Sequence, residues 1–433
     1  MESTINNIWQ KSKLLIKGLM IGVLVLLLLI PAFFVQDLIK EREQRQKEAV
    51  TEVSSKWAGR QNITGPVLVI PFDEKITASN GTVTHNRQLA YFLPDKLDMK
   101  SAVAPVKKYR GIYEVMLYTA DVTISGKFSP LPLTKIKVNS ADILWNEAYI
   151  CMGITDSRGL KEEINMKWND SLLSLAPQLI NNAVFKEAFV APVSLVETDI
   201  TNGISFSGAI QVSGSEQLMY TPVGKETTVT MQSAWPDPSF TGSQLPVTSD
   251  IADNGFSAQW KSLSMTRSFP QQWRNDSYVL SAASFGTDLF IPVNGYQKTM
   301  RSVKYAILCI LLTFTAFFLI ETTNKKSVHP VQYALIGFAL ILFYTLLLSF
   351  SEYVGFNTAY GIAALATVGL ITWFVKGLLG SSKLSMLLSF VLVLLYSYVF
   401  TILQLQDYAL LLGSVGLFLT LAVVMYFSRK IQW

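Results

Sequence analysis

Read for its alternation of apolar and polar positions, the chain has three textures. Residues 305–427 hold five long apolar runs between short polar breaks, at 305–320, 331–350, 358–375, 384–403 and 408–427. A hydrocarbon core about 30 Å thick takes roughly 20 helical residues to cross. None of these runs carries a charge in its middle, and none shows a polar stripe at helical spacing, so each predicts a transmembrane helix. A sixth run spans 14–35, with Lys11 and Lys13 before it and Lys17 one turn inside, where a lysine can snorkel to the headgroups. It is longer than a signal-peptide core and no small-residue cleavage site follows, so an uncleaved anchor is expected. Gly18 and Gly22 form a GxxxG on it, a helix-packing surface.

The second texture, 36–57, is rich in both charges and has no Gly or Pro; Val50, Val53 and Trp57 fall on one helical face. The first helix is expected to continue through it as a solvated stalk. From Gln61 the pattern turns to β. Val67, Val69 and Phe72 follow a Gly65-Pro66 entry turn; Tyr113, Val115 and Leu117 alternate, as do Val122, Ile124 and Phe128. Ile204, Phe206, Ile210 and Val212, then Val229 and Met231, continue the pattern, with Asn80-Gly81 and Asn202-Gly203 as turn signals. A local helix is expected at 179–189. Residues 58–303 therefore read as one mostly-β domain inserted between helices 1 and 2.

Composition sharpens this picture. Half of the 433 residues are hydrophobic and the mean hydropathy is +0.34, too apolar for an ordinary soluble protein. The net charge of +5 gathers at membrane edges, and no basic, aromatic-interleaved patch points to nucleic acid. Cys151 and Cys309 fall in different textures, which excludes a disulfide framework. Cys151 reads as a small buried apolar residue.

Six crossings put both termini on one side. One set of short loops carries Lys325 and Lys326, Lys376 and Lys383, and Arg429 and Lys430; the alternate set has only Glu352 and Asp407. The positive-inside rule then places residues 1–13 and 428–433 in the cytoplasm and the β domain outside. Lys40, Arg42, Arg45 and Lys47 after helix 1, and Lys298, Arg301 and Lys304 before helix 2, run against that rule. Long domains translocate largely regardless of such charges, so the short loops decide.

Candidate chemistry is sparse. Glu321, Glu352 and Asp407 all fall at predicted interfaces, and Thr313, Thr345, Thr367 and Ser389 inside the runs read as helix-packing contacts rather than a transport path. His85 lies in a polar hairpin-like stretch, and His329 precedes Pro330 at a helix start beside Gln332, where it can cap the helix or meet headgroups. No HExxH, GxSxG, P-loop or CxxC is present. Asp73, Glu114, Asp121, Asp156 and Asp237 read as solvated faces or turn formers. No catalytic, cofactor-binding or metal residue is assigned, and no cofactor is expected. Of Trp57, Trp145, Trp168, Trp235, Trp260 and Trp273, most read as core anchors, with any near the membrane able to rest on its interface, and the WPDPSF stretch at 235–240 reads as a stiff corner. Arg110 and Arg158 are expected as buried ion-pair partners. Glu352, at the outer end of helix 3, is placed to meet the domain above.

Several blocks carry a resemblance. The stretches 293–321 and 329–364 resemble the CreD family of bacterial inner-membrane proteins, as do WAGRQNITGPVLVIPF (57–72), RGIY (110–113), ITDSRGL (154–160) and SAWPDPSFTGSQLP (233–246), in order. The likeness covers nearly the whole chain; after Ala364 it rests on hydrophobicity more than on motif. It implies a multi-pass inner-membrane protein linked to cell-envelope integrity, stress response and colicin tolerance, often under a two-component system, with no established reaction. The expectation is therefore an α-helical polytopic membrane protein with six transmembrane helices and a large mostly-β extracytoplasmic domain. It would act non-enzymatically, in contact with membrane lipid and with envelope proteins or cell-wall material. The alternative is a transporter or exporter of an envelope-related compound, with the domain as its periplasmic gate.

Overall fold

The computed structural model describes residues 2–77, 83–131, 133–136, 138–179, 184–185, 187–195, 197–274, 278–289, 295–324, 326, 328–405 and 409–428. Asn80, Gly81, Lys325, Asp407, Arg429 and Lys430 lie outside them. The chain divides into two compact units, Met1–Lys47 with Val293–Trp433, and Glu48–Pro292. The described residues form eight α-helices: α1 (Glu2–Trp57), α2 (Glu197–Asn202), α3 (Gly295–Lys304), α4 (Ala306–Thr323), α5 (Pro330–Val354), α6 (Phe356–Leu379), α7 (Ser382–Gln404) and α8 (Ala409–Ser428).

The first unit is helical. Among the described residues five helices are long and apolar enough to cross a membrane: α1 (Ile16–Trp57), α4, α5, α6 and α7. The fifth C-terminal run forms α8. The charged 36–57 stretch is the continuation of α1. Pro330 at the first turn of α5 follows a reciprocal cap: His329 Nδ1 accepts from the Val331 N–H (3.3 Å) and Gln332 Oε1 accepts from the His329 N–H (2.8 Å). Gly355, at φ +76°, breaks α5 from α6 in a conformation other residues rarely adopt. Phe343, Tyr344, Tyr360 and Tyr396 pack ring against ring at the centre of α5, α6 and α7, with centroids 4.6–6.4 Å apart.

The second unit is a mixed sheet of β1 (Gln61–Thr77), β2 (Val83–Phe92), β3 (Lys96–Arg110), β4 (Tyr113–Phe128), β5 (Tyr149–Ile154), β6 (Ile164–Trp168), β7 (Ser171–Leu179), β8 (Glu187–Pro192), β9 (Ile204–Ser215), β10 (Gln217–Thr221), β11 (Glu226–Ser233), β12 (Ser239–Gly242), β13 (Thr248–Ala252), β14 (Gly255–Leu263), β15 (Gln272–Arg274) and β16 (Phe285–Asp288). The strands follow the path β12-β16-β10-β1-β5-β8-β7-β6-β9-β4-β3-β11-β14-β13, with β2 added to β1 and β15 to β2. Two pairings are parallel, β1 with β10 and β3 with β11. β7 joins the halves, pairing β6 through its first residues and β8 through its last. The ends of the path share one core: Trp260 of β14 stacks on Phe285 of β16 (5.8 Å) and meets Phe240 of β12 edge-on (5.5 Å). The sheet is thus folded over on itself.

One expectation fails here. The described residues of 179–189 do not form the expected local helix: Leu179 ends β7 and Glu187–Phe189 begin β8, with Leu179 opposite Glu187, while residues 180–183 and 186 lie outside the described residues. In β4 the core face carries Met116, Tyr118, Ala120, Val122 and Ile124. The strand read at Tyr113, Val115 and Leu117 is formed, but Val115 and Leu117 are buried on the opposite face, so both faces of β4 are covered there. Of the six tryptophans, Trp168, Trp235, Trp260 and Trp273 are buried, and Trp57 and Trp145 are half-buried.

Candidate functional site

Within the β unit, the end of α1 is fastened to the sheet by a knot of polar groups. Past Trp57 the chain turns through Ala58, which is fully buried, and enters β1. The turn after β5 brings Asp156 underneath. Its carboxylate accepts from the Gly59 N–H (2.8 Å), from the Arg158 N–H (3.1 Å), and from Arg158 Nε (2.9 Å) and Nη2 (2.6 Å). The remaining Arg158 nitrogen, Nη1, donates to the carbonyl of Ser55 in the last turn of α1, an acceptor without an intrahelical partner. Gln61 closes the knot: its amide donates to the carbonyls of Asp156 and Ser213 (both 2.9 Å), and its Oε1 accepts from the Asp156 N–H (3.1 Å). The Arg158 guanidinium, with smaller help from the Gly59 N–H, holds the Asp156 carboxyl down at about 2.

Gly159 is where the turn approaches closest. A side chain there would run into the Ser213 carbonyl and the Gln61 amide. Around the knot, Lys161 lies over the Trp57 ring at 4.5 Å, and the tip of the β3–β4 hairpin reaches the same helix end. Arg110 there grips Glu52 with two nitrogens (3.1 and 2.9 Å). Arg110 and Lys56 lower the Glu52 carboxyl, the Lys56 contribution being the larger.

Three of the blocks quoted above, 57–72, 110–113 and 154–160, therefore converge on one joint. The fourth, 233–246, leads elsewhere, from the end of β11 through β12 toward β13. Arg110 and Arg158 do form ion pairs, but their side chains are 59% and 57% exposed, not buried. Guanidinium stems lying along the surface satisfy the carboxylates without leaving water.

The other carboxylates are dispersed. Glu114 pairs with Lys107 (2.8 Å), and Asp121 accepts from Gln211 (2.8 Å). Asp73 lies opposite Arg87 in the β1–β2 register, and Asp237 contributes its carbonyl to Trp235 Nε1 (2.9 Å). His85 is exposed in β2, opposite Lys75. An open depression of about 590 Å³ includes Asp121, Ala102, Gln232, Ser257 and Asp250. They form one cross-strand row on neighbouring strands. Its two carboxylates stand four strands, about 19 Å, apart, against the roughly 5–9.5 Å of an acid–base pair acting on one bond. Among the described residues no three His, Cys, Asp or Glu side chains gather as metal ligands.

The helical unit has two polar contacts of its own. Lys17, expected to snorkel, is bonded to Glu321 of α4 and to the Val328 carbonyl (2.8 Å). Glu321, expected at an interface, is buried and also accepts from Tyr333 Oη (2.7 Å) and the Val328 N–H (2.8 Å). Both charges were visible in the sequence near run ends; their partnership across α1, α4 and the start of α5 was not. At the C-terminal end of α5, Glu352 accepts from Tyr296 Oη of α3 (3.0 Å) and lies 3.9 Å from Arg42 Nε of α1. Deeper in, Tyr360 Oη donates to the Tyr396 carbonyl (2.8 Å), while the buried Tyr396 hydroxyl has no partner among the described residues.

Long apolar helices on both sides of a large β unit in sequence, and a polar joint fastening the end of α1 to that unit, define a multi-pass membrane protein with an inserted β unit. A family profile described as "Inner membrane protein CreD" matches residues 13–433. The chain is also 31% identical over 415 residues to the Inner membrane protein CreD of Escherichia coli (strain K12), covering 94% of this chain and 91% of that one. The chain belongs to the CreD family.

Proposed function

We propose that this inner membrane protein maintains the cell envelope without catalysing a reaction, by holding an extracytoplasmic β unit on a stalk so that it can engage envelope material or a partner protein. In this reading α8 makes the sixth crossing and both termini lie in the cytoplasm. The observation that carries the proposal is the joint: three family-resembling blocks, separated widely in sequence, are spent on fastening the sheet to the end of α1 through Asp156, Arg158 and Gln61. Such an attachment makes the end of the stalk part of the β unit itself.

The test is a strain lacking the protein, challenged with detergent, EDTA and a β-lactam. It is complemented with the full chain, with a chain lacking 58–292, or with Glu352→Gln. Hypersensitivity relieved by the full chain and not by the deleted one is the expected result; unchanged sensitivity in the strain lacking the protein would refute an integrity role. A second reading, export of an envelope-related compound, draws on the unpartnered Tyr396 hydroxyl inside the bundle. Accumulation of a metabolite in the same strain would favour it.

A further inference from the structure

The helix that leads into α4 is two-faced. At about 100° per residue, the buried residues of α3 (Tyr296, Thr299, Ser302 and Val303) fall in one sector of roughly 120°. Lys298, Arg301 and Lys304 fall in the opposite sector. The buried sector is fixed against the bundle, and Tyr296 is bonded to Glu352 of α5. α4 begins two residues after Lys304 and carries no charge before Glu321 near its far end. Where α4 enters hydrocarbon, the cations of α3 lie at headgroup level, because a charged head cannot follow the helix inward and a long stem lets it stay with water.

The charges around this end are not equally occupied. On α1, Lys40 pairs with Asp37 (3.0 Å), Arg45 with Glu41 (2.6 Å), Lys47 with Glu43 (3.1 Å), and Arg42 lies near Glu352. Lys298 donates to Gln404 Oε1 (3.1 Å) and lies over the Phe356 ring (5.6 Å). Arg301 and Lys304, three residues apart and so on adjoining turns, have no carboxylate partner among the described residues. We infer that Arg301 and Lys304 form a binding site for the phosphate of an anionic membrane phospholipid, the guanidinium supplying paired donors and the ammonium a second positive charge. A zwitterionic lipid carries its own ammonium beside its phosphate and gains less from such a pair; an anionic headgroup has no internal counter-charge. This also gives a reason for basic residues at a helix end where the positive-inside rule does not call for them. The inference rests on α4 crossing the membrane and not on envelope integrity as the function.

The test uses the purified full chain in mild detergent, titrated with phosphatidylglycerol or phosphatidylethanolamine and read by native mass spectrometry. The wild-type protein should retain phosphatidylglycerol in preference to phosphatidylethanolamine. The Arg301→Gln/Lys304→Gln variant should bind it about 30-fold more weakly, since each cation near a membrane surface contributes about a factor of five. Arg301→Lys/Lys304→Arg, which keeps both charges, should remain within a few-fold of wild type. Equal retention by the glutamine variant with unchanged thermal unfolding would overturn the site, as would equal retention of the two lipids by the wild type. Displacement by inorganic phosphate beyond that by chloride at matched ionic strength would also overturn it, because the site would then read a soluble anion. Should the glutamine variant not fold, the lipid preference and the phosphate competition on the wild type decide alone.

Discussion

Lys17 and Glu321, 304 residues apart in the chain, are joined in a partly buried ion pair, its carboxylate buried, that ties α1 to the C-terminal end of α4. The carboxylate is saturated by Lys17, Tyr333 and the Val328 N–H, and the lysine also holds the Val328 carbonyl. Removing one partner strands the other charge away from water. Lys17→Met or Glu321→Gln alone should each cost about 3 kcal/mol or more, while the double variant should lose clearly less than the sum. Thermal unfolding of the full chain in detergent would check this; additive losses would mean that the pair is not coupled.

The joint beneath α1 is sensitive to acid. Asp156 is held at about 2 when folded, against about 3.9 for an aspartate in an unfolded chain. Its contribution is complete above about pH 4 and is lost as pH falls through about 2, because the unfolded state binds the proton first. With Arg158 largely in water, the amount is on the order of 1–2 kcal/mol. Unfolding temperatures measured across that window should fall more steeply for the wild type than for Asp156→Asn, whose side chain does not titrate.

Gly159→Ala probes the same joint by shape. The added methyl meets the Ser213 carbonyl and the Gln61 amide, both held from several directions. A loss of about 2–4 kcal/mol is expected, seen as reduced accumulation and faster proteolysis near Trp57. Arg110→Ala, which breaks only the exposed pair with Glu52, should cost no more than about 1 kcal/mol.

Within the helical bundle two tyrosines should respond in opposite ways. Tyr360→Phe removes a hydrogen bond to the Tyr396 carbonyl and should cost about 1 kcal/mol. Tyr396→Phe removes a buried hydroxyl without a partner among the described residues and should be neutral or stabilising. A clear destabilisation by Tyr396→Phe in thermal unfolding would mean that the hydroxyl is engaged by a molecule in the bundle.

What could be read in the sequence depended on the range of the interactions. The apolar runs that became α4 to α8 are local facts, because a hydrocarbon-crossing helix satisfies its own backbone and shows its length directly. The capping of α5 by His329 and Gln332 was equally local. Strand content was legible in alternations such as Val122, Ile124 and Phe128, and also at Val115 and Leu117, but which face of β4 meets the core was not legible there because both faces are buried. The joint was half visible: residues 57–72, 110–113 and 154–160 stood out as blocks, yet nothing in their spacing said that Arg158 would reach Ser55. Lys17 illustrates the same limit, since a lysine near a helix end looks identical whether it meets water or a carboxylate from another helix.

The two parallel pairings of the sheet have a consequence for its assembly. Gln61–Thr64 of β1 must wait for Leu218–Thr221 of β10, and Lys96–Val103 of β3 for Glu226–Ser233 of β11. Until the chain has been made past Ser233, each half carries a strand with an unsatisfied edge, and the core cannot close before Trp260 meets Phe285. Such distant pairings make folding slow and leave sticky intermediates. A truncation anywhere before β16 should therefore yield an aggregating chain rather than a smaller folded one, so the unit can mature only after its last strand has been made.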